Sequence, residues 1–373
     1  MDGITIRAVQ AHCFRAPLAS PVVTSFGRMT SRPAVFVSID DTDGFRGWGE
    51  IWCNFPSVGA EHRTRIAREM VAPMLTGFRA SAPQDLFRDL SRRLHILALQ
   101  SGEPGPFAHV VAGLDTALWD LFARREKTPL WRMLGGASPS MRVYASGINP
   151  HNAEAMAEHA LTNGHRALKL KIGFDPTGDR SNLTTLRRLA GELPLAADVN
   201  QAWDIADAPA LTAALDPFAL AWLEEPIPAD VPWDKWRAIS AAARTPLAGG
   251  ENICTLSAFD HALDEGVLSV VQPDLAKWGG LSMGIIVARK ILAAKRRFCP
   301  HYLGGGIGLL ASAHLLAAAG GDGMLEVDIN PNPLRDACCG PVGGVTDGAI
   351  TLADAPGLGI EPDLASLEHY RVS

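Results

Sequence analysis

The sequence predicts an α/β protein: a (β/α)8 barrel of the modified TIM type, preceded by an α+β capping domain and followed by a segment that completes the cap. Two observations predict it. Between residues 143 and 327, eight short apolar runs alternate with helical segments. That alternation implies a parallel sheet, and eight units fit a closed barrel better than an open doubly wound sheet. The first 130 residues lack this rhythm and read as strands followed by helices. The expected domains are 1–130 for the cap, 131–335 for the barrel and 336–373 for a C-terminal segment packing back on the cap.

In chain order, residues 4–14 read as a strand, with Ile4, Ile6, Ala8 and Val9 apolar. Residues 33–41 and 45–50 read as two strands joined at the Asp43-Gly44 turn. Helical periodicity follows near 59–75, 83–99 and 106–126, the last ending in Arg124 and Arg125 as a helix C-terminus favours. After Leu134-Gly135-Gly136 the strand candidates are 143–146, 167–172, 195–199, 219–223, 247–250, 269–272, 298–301 and 323–327. From 340 onward the chain is turn-rich.

Composition removes several function classes. The 373 residues are 47% hydrophobic and 20% charged, as in a soluble globular protein. With 34 basic and 40 acidic residues the net charge is −6, and no run of five like charges occurs. Neither a dedicated nucleic-acid binder nor a basic membrane-surface protein is expected. The N-terminus has no apolar signal core, and the most apolar stretch, 304–320, is too short to span a bilayer. The six cysteines show no zinc-type pairing and suit reduced thiols in a cytoplasmic protein, with vicinal Cys338 and Cys339 read as a turn.

In a barrel of this kind chemistry sits at the C-terminal ends of the strands. The second strand ends in Lys169 and Lys171, two apart and so on one face. Strands three, four and five end in Asp198, Glu224 and Glu251, spaced 26 and 27 residues apart, one β/α unit each. Three carboxylates at one mouth repel one another unless a hard divalent cation binds them, and oxygen ligands favour magnesium. Glu225, next to Glu224, is expected to point away. Strand six ends in Asp274 and strand seven in His301. An Asp on a neighbouring strand end can hydrogen-bond the imidazole and fix its tautomer. Glu326 on strand eight has two readings, a protonated electrophile or a buried acid paired with Lys277. The glycine-rich LGGGIG after His301 lacks the context of a dinucleotide motif and reads as a close-packed turn before a helix.

Taken together these residues resemble the enolase superfamily, and within it the mandelate racemase subgroup. The resemblance runs through Gly47-Trp48-Gly49-Glu50, Leu114-Asp115-Thr116-Ala117-Leu118-Trp119-Asp120, Lys169-Leu170-Lys171, Asp198-Val199-Asn200, Glu224-Glu225-Pro226, Gly250-Glu251-Asn252, Pro273-Asp274 with Gly279-Gly280, His301 and Glu326. It implies one Mg²⁺ per subunit held by Asp198, Glu224 and Glu251. It implies abstraction of the proton α to a carboxylate, giving an enediolate stabilised by metal, a chemistry the superfamily shares. Lys169 would add positive charge at the substrate carboxylate. Lys171 would be one acid/base, its pKa lowered by Lys169 and the metal, and His301, oriented by Asp274, the other. Glu326 would donate a hydrogen bond if protonated, and Asn200 resembles the residue that contacts the α-substituent.

Asp274 stands where muconate lactonizing and dipeptide epimerase relatives place a lysine, which argues against that subgroup. Enolase itself has a different base pattern, and mannonate dehydratases depart from Lys-x-Lys. Lys171 with His301 permits racemisation or epimerisation of a 2-hydroxy acid, and it permits dehydration of an acid sugar to a 2-keto-3-deoxy acid. The resemblance favours the dehydratase, with a sugar-acid lactone cycloisomerase fitting the same residues. A non-catalytic binding protein on this fold is the remote alternative. Residues 20–31 and 52–59 are candidate lids, in which Phe26, Trp52 and Phe55 would form an apolar wall and Arg28 and Asn54 would bind a distal carboxylate or hydroxyls. The other reading makes Arg28 solvated and the aromatics interface core. The expected partner is a small carboxylate, a hydroxy acid or sugar acid. Relatives imply a homo-oligomer, dimer or octamer.

Overall fold

The computed structural model describes residues 3–24 and 27–372. Strands β1 (Ile4–Thr24), β2 (Gly27–Asp41), β3 (Arg46–Ile51) and β4 (Arg79–Ala80) form one antiparallel sheet in the order β3-β2-β1-β4. β1 runs ten residues beyond the expected Phe14, because it pairs with β2 as a long ribbon out to Thr24↔Gly27. Pro17 and Pro21 lie within it. A register shift between Pro17 and Val22 absorbs them, as bulges do at a sheet edge. The ribbon tip is the expected lid segment 20–31; Phe26 of the expected apolar wall lies outside the described residues.

The barrel strands are β5 (Ser140–Ile148), β6 (Leu168–Lys171), β7 (Leu195–Asp198), β8 (Leu223–Glu224), β9 (Leu247–Gly249), β10 (Leu268–Val271), β11 (Arg297–Phe298) and β12 (Met324–Asp328). They pair parallel from β11 back through β5 to β12, with β13 (Ala349–Thr351) antiparallel on β5. The ring is nearly closed. Across the seam between β11 and β12, the Met324 N–H reaches Cys299 Sγ at 3.3 Å. The eighth helix is a single turn, Pro333–Asp336, after which the chain crosses to the cap. There Val372 N–H donates to Cys13 O at 3.0 Å, and Leu130 N–H to Gly357 O at 2.9 Å. No described helix is long and apolar enough to cross a membrane.

The helix Pro104–Arg125 explains two of the motifs. It is buried along most of its length because it is covered on two sides. On the cap side, β3 lies so close that a Cβ on Gly49 would meet Gly113 O at 2.0 Å, and one on Gly47 would meet Ala117 O at 2.1 Å. Only glycine permits that approach. On the barrel side, Asp115 accepts from Ser282 Oγ at 2.5 Å and Ser282 N at 2.9 Å. Asp120 accepts from Trp48 N, Leu358 N and Arg124 Nε, at 2.8, 2.7 and 2.8 Å. The two aspartates therefore fasten cap, barrel and C-terminal segment to one helix. Arg32 on β2 adds a buried ion pair with Asp328 at the end of β12, at 2.8 Å.

The Gly49 contact yields a stability prediction. Gly49→Ala drives a methyl into backbone, so the strand or the helix must shift. Overpacking of this kind costs about 1–3 kcal/mol. The urea midpoint should fall accordingly, and an unchanged midpoint would show that the two elements slide apart freely.

Candidate active site

The strand register assembles the mouth. Lys171 pairs with Asp198 and Asp198 with Glu224 across β6, β7 and β8. Their side chains therefore stand next to one another on one face. Beyond these strand ends the backbone turns sharply, with Asn200, Gln201 and Glu225 at positive φ of 49°, 65° and 37°. Such conformations cost non-glycine residues of order 1–3 kcal/mol each and gather at functional sites.

Each carboxylate of the mouth faces a cation. Lys169, 1% exposed, lies 2.7 Å from Glu224 Oε2, 2.7 Å from Glu326 Oε1 and 4.0 Å from Asp198 Oδ2. Lys171 Nζ donates to Asp198 Oδ2 at 2.9 Å and to Asn200 Oδ1 at 2.5 Å. Lys277 Nζ donates to Glu251 Oε1 at 3.0 Å and Asn252 Oδ1 at 3.2 Å. His301 bridges two acids, Nε2 to Glu251 Oε2 at 2.6 Å and Nδ1 to Asp274 Oδ2 at 2.8 Å. Gln272 Nε2 donates to Glu224 Oε2 at 2.7 Å, and Ser146 Oγ to Glu326 Oε1 at 2.5 Å.

The electrostatics bear on three sequence expectations. Burial opposes the charge on Lys171, but Asp198 outweighs both burial and Lys169, so the protein's own groups raise its pKa, whereas the expected lowering rests on Lys169 and the metal together. Burial likewise opposes ionisation of Glu326, yet Lys169 and His301 hold its pKa at about 2, which makes it a carboxylate rather than a protonated donor. Lys277 pairs with Glu251, not with Glu326. For His301, burial is outweighed by the charges of Glu251 and Glu326 and the bond to Asp274, and the imidazole pKa rises well above its usual value.

The donor set suits a divalent cation by charge and by chemistry. Among the described residues no three candidate ligands already stand in a coordination cluster. Yet six carboxylates, buried Asp198, Glu224, Glu225, Asp274 and Glu326 and half-buried Glu251, face only four cations (Lys169, Lys171, Lys277 and His301), and Glu225, expected to point away, is among them, accepting from Asn252 Nδ2 at 2.9 Å. The strain of that deficit is visible. Burial, with Asp198 and Glu326 nearby, raises Glu224 to about 7; burial and Glu251 raise Glu225 to about 8. Two missing positive charges beside oxygen donors describe a hard dication.

The mouth opens into a cavity of about 240 Å³ between barrel and cap. Lys171, Asn200, Gln201, Glu251, Asn252, Lys277 and His301 line it from the barrel side, with Leu303 on the loop that follows. Trp52, Asn54 and Phe55 line it from the cap. Asn54 Nδ2 ties the two walls together by donating to Leu303 O at 2.6 Å. Arg28 is not brought here: it is exposed on the β2 ribbon and absent from the lining. Sequence reasoning missed Gln201, Asn252 and Leu303, and gave Lys277 only a supporting part. Behind the cavity, the LGGGIG turn has a definite partner in the cap. Glu50 accepts from Gly305 N at 2.5 Å and Gly308 N at 2.8 Å, at the start of the helix Gly306–Ala319.

Removing one partner from a buried ion pair strands the other charge and costs about 3–5 kcal/mol. Lys169→Met strands Glu224 and Glu326, so its unfolding free energy in urea should drop by an amount of that order. A variant as stable as the parent would mean that these acids do not depend on Lys169.

Residues 6–135 match the family model for the mandelate racemase/muconate lactonizing enzyme N-terminal domain, and residues 152–366 match the enolase C-terminal domain-like model. The 3,6-anhydro-alpha-L-galactonate cycloisomerase of Streptomyces coelicolor is 31% identical, covering 98% of this chain and 99% of its own. The D-galactarolactone cycloisomerase of Agrobacterium fabrum is 28% identical over 98% and 99%. Other relatives are acid-sugar dehydratases. A mandelate racemase/muconate lactonizing enzyme from Bordetella bronchiseptica has a crystal structure that superposes with a TM-score of 0.94, at 49% identity over 99% of both chains. A Streptomyces coelicolor racemase solved with bound magnesium superposes with a TM-score of 0.87, at 28% identity over 98% of this chain and 100% of its own.

Proposed function

The chain belongs to the mandelate racemase/muconate lactonizing enzyme family, and from that premise we propose that this enzyme removes the α-proton of an acid sugar and eliminates the β-oxygen, a dehydration giving a 2-keto-3-deoxy acid. The observation that carries the reading is the cavity lining. Four carboxamides, Asn54, Asn200, Gln201 and Asn252, surround it together with the Trp52 indole. A carboxamide both donates and accepts hydrogen bonds, which matches vicinal hydroxyls. Each spends part of that capacity inside the protein, as Asn54 does on Leu303 O, Gln201 on Ala229 N and Asn252 on Glu225, and a carboxamide's remaining donor and acceptor positions suit hydroxyls better than an apolar group.

The acid/base residues stand on different sides of the mouth. Lys171 extends from β6 and His301 follows β11, separated by β5 and β12 one way round the barrel and by four strands the other. A substrate between them presents one face to each. Lys171 Nζ, as the neutral amine, takes the α-proton, and the C–H pair becomes the enediolate. The β-carbon–oxygen bond then breaks with its electron pair on oxygen, which takes a proton from His301 Nε2 and leaves as water. The raised pKa of His301 suits the donor role. Lys169 balances the substrate carboxylate from below, and Asp274 holds the imidazole by Nδ1. Magnesium held by Asp198, Glu224 and Glu251 would add positive charge at that carboxylate and draw the Asp198 charge away from Lys171.

A second reading keeps every residue and changes the leaving group. If the β-oxygen belongs to a ring, the same elimination opens the ring, and the relatives at 31% and 28% identity are cycloisomerases.

The test is proton NMR in D2O with Mg²⁺ and a panel of sugar acids and their lactones. The α-proton signal should vanish and keto-acid methylene signals should grow. Chelation with EDTA should stop both. Lys171→Ala should slow α-proton loss by about 10²–10⁴-fold, the usual worth of a general base. His301→Asn should retain exchange while losing elimination. Exchange without elimination in the parent enzyme would instead mark a racemase or epimerase.

A further inference from the structure

We infer that the acid this cavity takes is a monoanion, with one carboxylate at the reacting end and a neutral far end that is hydroxylated or cyclic. The inference rests on the sugar-acid reading above and narrows it, because sugar acids come with one carboxylate or with one at each end.

A far carboxylate needs a cation not already committed, and this cavity has none to offer at that end. Three cations line it, all on the barrel side. Lys171 is held by Asp198 and Asn200, and His301 by Glu251 and Asp274. Lys277 reaches furthest toward the cap, 5.0 Å from the Trp52 ring centroid, but it is held by Glu251 and Asn252 and would keep Asp274 near it even if Glu251 turned toward a metal. The far wall is Trp52, Asn54, Phe55 and Leu303, which carry no charge.

On the cap side Arg63 lies behind Trp52, with all three of its nitrogens engaged. Nε donates to His109 Nδ1 at 2.9 Å, Nη1 to Gly59 O at 3.0 Å and Nη2 to Phe55 O at 3.1 Å. It stands 5.6 Å from the Trp52 ring centroid and is buried. Among the described residues of the β1–β2 ribbon near its end, Ser20, Val22, Val23 and Thr24 carry no charge, and Arg28 is exposed. A second carboxylate would thus lose its water against indole, phenyl, leucine and amide. Neutral donors offset only part of that loss, since a charged partner strengthens a hydrogen bond roughly twofold.

The experiment uses matched six-carbon pairs differing only at C6: D-gluconate with D-glucarate, D-galactonate with galactarate, and D-mannonate with D-mannarate. Affinity is read by calorimetry on the Mg²⁺-loaded protein, and α-proton exchange by NMR in D2O. In each pair that binds, the monoacid should bind at least tenfold more tightly, and exchange should be confined to it. Leu303→Lys should shift that affinity ratio at least tenfold toward the diacid. A parent enzyme that binds or exchanges a diacid as well as its monoacid overturns the inference and leaves the sugar-acid reading standing. Loss of that diacid binding in Arg28→Ala would then identify the lid arginine as the missing cation. If no acid of any pair binds, both readings fall together.

Discussion

Burying a carboxylate costs several kcal/mol unless a cation lies in reach, and this barrel gathers six carboxylates at one mouth, five of them buried. The rest of the structure is arranged around that constraint. Lys169 lies so deep that it touches Glu224 and Glu326, acids from β8 and β12 on either side of it. Asp198 and Glu224 are neighbours in register, which places two like charges side by side on adjacent strands. An open sheet could let such residues splay apart. A nearly closed ring cannot, so burial, with that repulsion added, raises the carboxyl pKa of Glu224 and Glu225. A site that keeps this much unbalanced negative charge is poised for a dication, and stability is given up locally to keep it so.

Much of this was legible in the sequence, for a specific reason. Carboxylates recurring every 26 or 27 residues repeat with the β/α unit, so they had to fall at equivalent strand ends whatever the loops did. Period fixes which end and which face a residue occupies. It does not fix which partner a long side chain reaches. Lys277 was therefore placed near the mouth but given Glu326, whereas its ammonium turns to Glu251. Lys171 was read against Lys169 and the metal alone, while Asp198, 27 residues away in sequence, lies 2.9 Å from it. The ribbon was missed for another reason: the strand was expected to end at Phe14 and residues 20–31 were read as a lid, whereas the pairing with β2 carries β1 on to Thr24.

The motif residues of the cap act at a distance from the chemistry. Gly47 and Gly49 let β3 sink onto the helix Pro104–Arg125, and Asp115 and Asp120 tie that helix to barrel and C-terminal segment. Glu50 then reaches across to the first turn of the helix Gly306–Ala319. A carboxylate at a helix N-terminus meets unpaired amides and the positive end of the dipole, which compensates part of its burial. Burial still wins, and Glu50 is raised to about 7. The helix it holds begins five residues after His301, so the cap helps set where the strand-end imidazole stands.

The division of labour between the walls follows from charge. The barrel side carries every charged group that lines the cavity, and each is paired there. In the proposed reaction, proton transfer between Lys171, substrate and His301 moves charge only among those paired groups. The cap side is neutral, so it can discriminate by shape and hydrogen bonding without disturbing those pairs. Elimination from an open chain, elimination from a ring and simple proton return all need the same barrel side. They differ in what the far end of the substrate looks like and in which atom receives the proton from His301. Variation of the cap wall alone would therefore move such an enzyme from one acid to another. Asn54, the one side chain bonded across the two walls, sits where that choice is made.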